Sequence, residues 1–471
     1  MPDASSEPPS KPTTFTERTD SEAALPGLWR VTWPLFVSLG LSLSLTFTDA
    51  FFLSRISDAA AAAAGAINPL LGATLVVFSV MGQAGASVAG RLLGARRHSE
   101  LPLTYFSMLV FNAGTGLLVS AILLAFHRYL PAKLGLRADA LEAAQTYMAV
   151  LGGCQVLKAV QLAYGNMLNS RGETRWVMVE AVATNIANIG LNWALLEGAF
   201  GLHASVGLVA GATVVAMTFG MLFTIALVHF RFDVRFPIRS SWRELSTALR
   251  PILKIGLPSA TEPISYNVAQ VTINVLVISL GAQALATRTY LLSFVTISSV
   301  LWSLALGVGT QILIAHRVGA GKLEDADQQF HRALLYAIAG NGGIALVLAL
   351  LHRPLLGLLT QDPEILRIAA PLFAVGVFVE MGRAVNIVCG GALRSTGDAG
   401  YAAVVTSTLM WCVGVPSAFV LGGLLKLGLT GVWMSMALDE MLRGMVSYRR
   451  WRSGRWRTTS QLAPAASIEL A

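Results

Sequence analysis

The 471-residue chain carries 34 Lys and Arg against 26 Asp and Glu, a net charge of +8, yet only 13% of its residues are charged and 54% are apolar. That charged share is about half of what a soluble domain displays, and with a mean hydropathy of +0.62 it excludes both a water-soluble globule and a disordered chain. The chain is an integral membrane protein. Its continuous apolar runs of about 20 residues favour crossing helices over the alternating strands of a barrel.

Residues 1–26 are rich in Pro, Ser, Thr and acid and lack the basic start, apolar stretch and cleavage site of a signal peptide, so they read as a disordered tail. Twelve helices are predicted after it, at 31–54, 64–90, 102–126, 142–169, 174–198, 204–229, 252–280, 287–316, 329–352, 364–393, 399–423 and 429–450. The resulting division is an N lobe over 27–229, a basic interlobe loop over 230–251, a C lobe over 252–450 and a tail over 451–471.

With the N-terminus in the cytoplasm, 24 basic residues fall on the cytoplasmic side and 8 on the other, and two, Lys158 and Arg383, fall inside helices. The bias places both termini and the interlobe loop in the cytoplasm, for a multi-pass protein of the cell's inner membrane. The positive net charge is then orientation and headgroup contact, with the bilayer as partner and no nucleic acid. Cys154, Cys389 and Cys412 lie inside apolar runs without metal-type spacing and read as small core residues.

The chain also repeats. GNMLNSRGET at 165–174 aligns with GGALRSTGDA at 390–399, and RLLGARR at 91–97 with HRVGAGK at 316–322, both offset by 225; Pro34 and Pro258 sit 224 apart. Two homologous halves of six helices insert the same way up, related by an axis along the membrane normal. Paired bundles around a cavity are a transporter plan that a single-path channel does not need.

The sequence resembles the multidrug and toxic compound extrusion (MATE) family. The likeness runs from about 27 to 456 through WPLFVSLGLSLSLTFTDAFFLSRI, AINPLL, LLGARR, RVGAGK, GALRSTGDA, WCVGVP and GVWMSMALDEMLRGMVSYRRWRSGRW, and rests on their order and duplication. The resemblance implies an all-α bundle of twelve transmembrane helices in two six-helix lobes that open alternately to the two sides. It implies export of small organic compounds in exchange for H⁺ or Na⁺, by a monomer with no cofactor beyond the coupling ion. Within the family the DinF-like branch is nearest, because Asp49 matches its coupling acid.

An ionisable side chain at mid-membrane costs roughly 2.5–3.5 kcal/mol on insertion scales, so each invites a functional reading. Asp49, beside Thr46 and Thr48, reads either as a proton acceptor or Na⁺ ligand or as an interfacial acid near Arg55; the resemblance favours the first. Asn185, Asn188 and Asn192 share one face of the fifth helix, and Asn192 stands where many relatives have Asp, which points to H⁺ through Asp49. Thr213 completes the candidate coupling set.

In the C lobe Arg383 replaces an acid of some relatives, and Lys158 occupies the equivalent position 225 residues earlier. With Tyr266 and Arg383 at its expected positions, the C-lobe acid site of the NorM-like branch is altered. Glu380 and Arg383 are i and i+3 and can neutralise each other, while Lys158 needs a partner such as Glu180 or Glu262. Lys158, Glu262, Glu380 and Arg383 are therefore either a substrate site or a structural ion-pair network. Under the first reading the alternative function is a flippase or exporter of an anionic or lipid-linked compound. Asp439, Glu440 and Arg443 read as a local ion-paired face near the cytoplasm, and Trp29, Trp33, Trp451 and Trp456 as interface anchors. No nucleophile or metal motif marks an enzyme, and the seven histidines sit near helix ends.

Overall fold

The computed structural model describes residues 27–198 and 204–459, so the predicted tail 1–26 and positions 460–471 lie outside the described residues. Twelve long helical passes cross the described chain: α1 Leu28–Ser54, α2 Asp58–Gly94, α3 Leu101–Ala125, α4 Ala138–Gly153 resuming as Gln155–Ser170, α5 Thr174–Leu196 and α6 Val206–Ala226. The second half repeats them as α7 Trp242–Ser279, α8 Ala282–Val295 continuing to Leu301–Gly319, α9 Leu323–Leu350, α10 Pro363–Ser395, α11 from Ala399–Leu409 through Val415–Ala418, and α12 Gly428–Arg452. Wider π-type turns interrupt α8 at Thr296–Val300 and α11 at Met410–Gly414 and Phe419–Leu424.

The predicted spans all overlap these helices, and the differences have local causes. Ser57 caps α2 by accepting from the Ala60 amide at 3.0 Å, so the alanine run joins the helix six residues before the predicted start at 64. A capping box between Ser241 and Glu244 starts α7 at Trp242, inside what the sequence suggested as the loop 230–251. The tail predicted from 451 also begins too early. Trp451 and Trp456 are not interface anchors: both are buried, stacked on each other at 4.3 Å, with Trp451 on Phe330 of α9 at 4.4 Å and its Nε1 donating to Asp327. Trp29 and Trp33 are exposed, as anchors should be. Of the cysteines only Cys389 is a core residue; Cys154 sits at the break in α4 and Cys412 is exposed.

Eight of the passes are long and apolar enough to cross a membrane on composition alone. The four that fall short are α4, α5, α7 and α12, which carry Lys158, Glu180, Glu262 and the Asp439–Glu440–Arg443 group.

The two lobes meet where α2 crosses α8, at the ends of both helices. A Cβ on Gly94 would collide with the His316 carbonyl, and one on Gly319 would collide with the Arg91 carbonyl. Positions 91 and 316, and 94 and 319, are equivalents in the 225-residue repeat, so the contact is reciprocal, as a twofold axis requires. Around it Gln311 Nε2 donates to Ser87 Oγ (2.6 Å) and the Gln83 carbonyl (3.1 Å), and His316 Nε2 lies 2.6 Å from the Ser170 carbonyl. Each helix then ends in the same two backbone bonds: Arg97 N to Leu92 O with Arg96 N to Leu93 O, and Lys322 N to Arg317 O with Gly321 N to Val318 O. Away from this basic end the lobes part, and a cavity of about 570 Å³ lies between α1 and the α7–α8 pair.

Replacing Gly319 by Val should lower the melting temperature of the solubilised protein by the equivalent of about 1–3 kcal/mol, the usual cost of overpacking. Gly65→Ala, at an open helical position, should leave it unchanged or raise it.

Candidate functional site

Asp49 sits on α1 five residues from its end and is 3% exposed. It is not an interfacial acid: Arg55 lies over the Phe51 ring instead, 5.0 Å from its centroid. The Asp49 Oδ1 accepts from Thr213 Oγ1 of α6 at 2.8 Å and from Asn188 Nδ2 of α5 at 3.2 Å, and Asn188 Nδ2 also reaches Thr213 Oγ1 at 2.9 Å. Asn192, one turn along α5, is fully buried beside this triangle's helix, and its Oδ1 and Nδ2 make no hydrogen bond; the Asn188 Oδ1 is likewise unpaired. Three helices thus bring the predicted coupling set to one place, with a single carboxylate in it.

Two neighbours were missed. Tyr147 of α4 is buried within electrostatic reach of Asp49, and its hydroxyl donates to Asn68 Oδ1 of α2 at 3.2 Å. A tyrosine inside an apolar helix gives little sequence signal, since its ring packs as core. Asn185 follows the stripe only in part, donating to the Leu41 and Ala181 carbonyls.

Of the four residues expected to form a substrate site, Glu380 and Arg383 come together, while Glu262 and Lys158 have other neighbours. Arg383 Nη1 donates to Glu380 Oε1 at 2.7 Å, and its Nε lies 3.5 Å from Glu440 Oε1 on α12. Arg443 then binds Asp439 Oδ2 at 2.5 Å and Glu440 Oε1 at 3.1 Å, and Asn386 donates to Glu440 Oε2. Asp439, Glu440 and Arg443 are therefore part of a buried C-lobe cluster of three carboxylates and two guanidiniums, not a separate surface face. The cause is close helix approach. A Cβ on Gly382 would stand 2.9 Å from the Met441 amide, and one on Gly444 3.1 Å from Val385 Cβ, so α10 and α12 touch nearly backbone to backbone. Arg383 is thereby neutralised within its own lobe.

Glu262 pairs instead with Arg394 of α10 at 3.3 Å. Lys158 makes no ion pair within 4 Å among the described residues; its charge faces Glu180, which accepts from Thr184 Oγ1 at 2.8 Å and from Gln161. Met108, Met148 and Met167 are packed in the core. Arg288, at the very edge of the predicted eighth helix (287–316) and given no role there, is six residues into α8, 5% exposed, with Nη2 donating to Gln270 Oε1 of α7 at 2.7 Å.

Twelve helices in two like lobes, joined at one end and parted by a cavity at the other, define a polytopic membrane transporter rather than an enzyme. The MatE family model matches the chain twice, over residues 34–194 and 258–420, one copy per lobe. The chain belongs to this multidrug and toxic compound extrusion family. It is 31% identical over 430 residues to the uncharacterized transporter YisQ of Bacillus subtilis (strain 168), covering 91% of this chain and 94% of that one. It is 23% identical over 437 residues to a probable multidrug resistance protein NorM of Thermotoga maritima, covering 91% and 92%. The crystal structure of the Vibrio cholerae MATE transporter VcmN in its bent form superposes with a TM-score of 0.83 at 18% identity, over 95% of this chain and 99% of that one.

Removing one partner from the C-lobe cluster leaves buried charge uncompensated. Arg383→Met should destabilise the solubilised protein by about 3–5 kcal/mol in thermal unfolding, and combining it with Glu380→Gln should recover a large part of the loss.

Proposed function

We propose that the chain is an efflux transporter of the inner membrane that exports organic compounds in exchange for H⁺ taken up at Asp49, working as a monomer with both termini in the cytoplasm. The observation that carries this reading is the Asp49–Thr213–Asn188 triangle: one carboxylate, two neutral donors and, among the described residues, no cationic partner within 4 Å. One proton neutralises the site. It also turns the carboxylate from an acceptor into a group with a proton to donate, which weakens the bonds that hold α1 to α5 and α6.

The geometry of α1 links that event to the cleft. Leu45 and Asp49, i and i+4, point into the N lobe and are buried, whereas Leu43 and Phe47 line the interlobe cavity from another face. Pro34 removes a backbone hydrogen bond near the basic end of the same helix. A change at Asp49 thus moves the wall against which substrate rests, which is the coupling an antiporter needs. With the basic end in the cytoplasm, the joined α2–α8 crossing closes the inner side and the cavity opens outward. The likeness to probable multidrug resistance proteins of the NorM type supports organic compounds as the cargo class.

One observation favours Na⁺ instead of H⁺. The unpaired Oδ1 atoms of Asn188 and Asn192 are hard oxygen ligands near Asp49. Protein reconstituted in vesicles separates the two. Under H⁺ coupling a pH gradient drives transport in Na⁺-free buffer, and Asp49→Asn abolishes it; a strict need for Na⁺, or transport that survives in Asp49→Asn, overturns the proton reading.

A further inference from the structure

The interlobe cavity has a charge character that neither the coupling site nor the C-lobe cluster explains. Its wall takes Leu43 and Phe47 from α1, Asn267 and Asn274 from α7, and Arg288 from α8. Among the described residues lining it, Arg288 is the ionised group. Every other strongly buried cation of the C-lobe interior has a carboxylate: Arg383 has Glu380, and Arg443 has Asp439 and Glu440. Among the described residues Arg288 has none within 4 Å. Its Nη2 is held by the neutral Gln270 Oε1, and its Nη1 is buried without any hydrogen-bond partner.

A guanidinium kept 5% exposed with neither counter-ion nor full hydrogen bonding is costly to keep in place. An organic cation in the same space would add a like charge a few ångströms from it. A carboxylate, sulfonate or phosphate would complete the two missing requirements at once, since a planar guanidinium offers paired donors to such groups. Opposite it, Leu43 and Phe47 supply an apolar wall, and about 570 Å³ is room for a drug-sized body.

We propose that this cavity is a binding site for an amphipathic organic anion, whose acidic group is taken by Arg288 and whose apolar body lies against Phe47 and Leu43. Gln270 is a positioning residue: it fixes the guanidinium and also borders the small cavity, about 20 Å³, beside Tyr266, Asp439, Glu440 and Arg443. The inference names the cargo class of the proposed efflux function and rests on that reading for its physiological meaning, but its test is equilibrium binding and does not depend on ion coupling.

The test uses two xanthene dyes of similar shape and opposite charge, the anion fluorescein and the cation rhodamine 6G, titrated by fluorescence polarisation against the purified full chain. Native protein should bind fluorescein saturably. Arg288→Gln should weaken fluorescein by about tenfold or more, as loss of charge-assisted hydrogen bonds predicts, while leaving rhodamine 6G unchanged or tighter. Arg288→Lys, which keeps the charge, should retain part of the affinity, and Asp49→Asn should retain all of it. Absence of saturable fluorescein binding to native protein, or fluorescein affinity within about twofold of native in Arg288→Gln, overturns the proposal. So does equal loss of both dyes in a variant whose melting temperature is native. Failure of proton-driven transport with Arg288-dependent binding intact overturns the coupling reading alone.

Discussion

The crossing of α2 over α8 is the contact on which the rest of the architecture depends. At Gly94 and Gly319 backbone lies against backbone across the two lobes, and the absence of side chains there is what allows it. The repeat makes the contact self-reciprocal, so each half supplies both the groove and the ridge. The junction lies at the ends of two long helices, at the opposite end from the cavity, so a small rotation there would translate into a larger displacement at the cavity.

The second constraint is the double duty of α1. One stripe of this helix belongs to the N-lobe interior and another to the cleft, so the Asp49 triangle and the interlobe cavity share a single wall. Under the proposed coupling, protonation on one side of the helix would be felt as a change in shape on the other, without the two ligands competing for one set of atoms. The C lobe shows the opposite design. Its five-charge cluster is closed upon itself, with α10 and α12 pressed together at Gly382 and Gly444, and its charges are spent on holding helices.

Much of this was legible in the sequence because hydrophobic runs and the 225-residue duplication are one-dimensional signals. The twelve helices and the two lobes could be read that way, whereas the Asp49, Asn188 and Thr213 group came from the resemblance to the family; for Asn192 the helix face was legible, but not that its amide would be left unpaired. What could not be read was which helix lies against which. Glu380 and Arg383 announce their pairing by spacing, but Glu440 joins them only because two glycines 62 positions apart permit contact. Arg288 was lost differently: a base near a helix boundary counts as topology until its depth is known. The tail boundary failed for a related reason, since tryptophans near a membrane surface look alike whether they face lipid or core.

The seat of Trp451 and Trp456 against Phe330 has a consequence for how the protein is made. During synthesis α9 is delivered to the membrane long before the residues that cover it leave the ribosome. Its aromatic face therefore waits, uncovered, until the last helix has been inserted and the terminal turn has swung back. Until Trp451 and Trp456 are in place, Phe330 lacks its aromatic cover, so this stretch of α9 depends on residues made more than a hundred positions later.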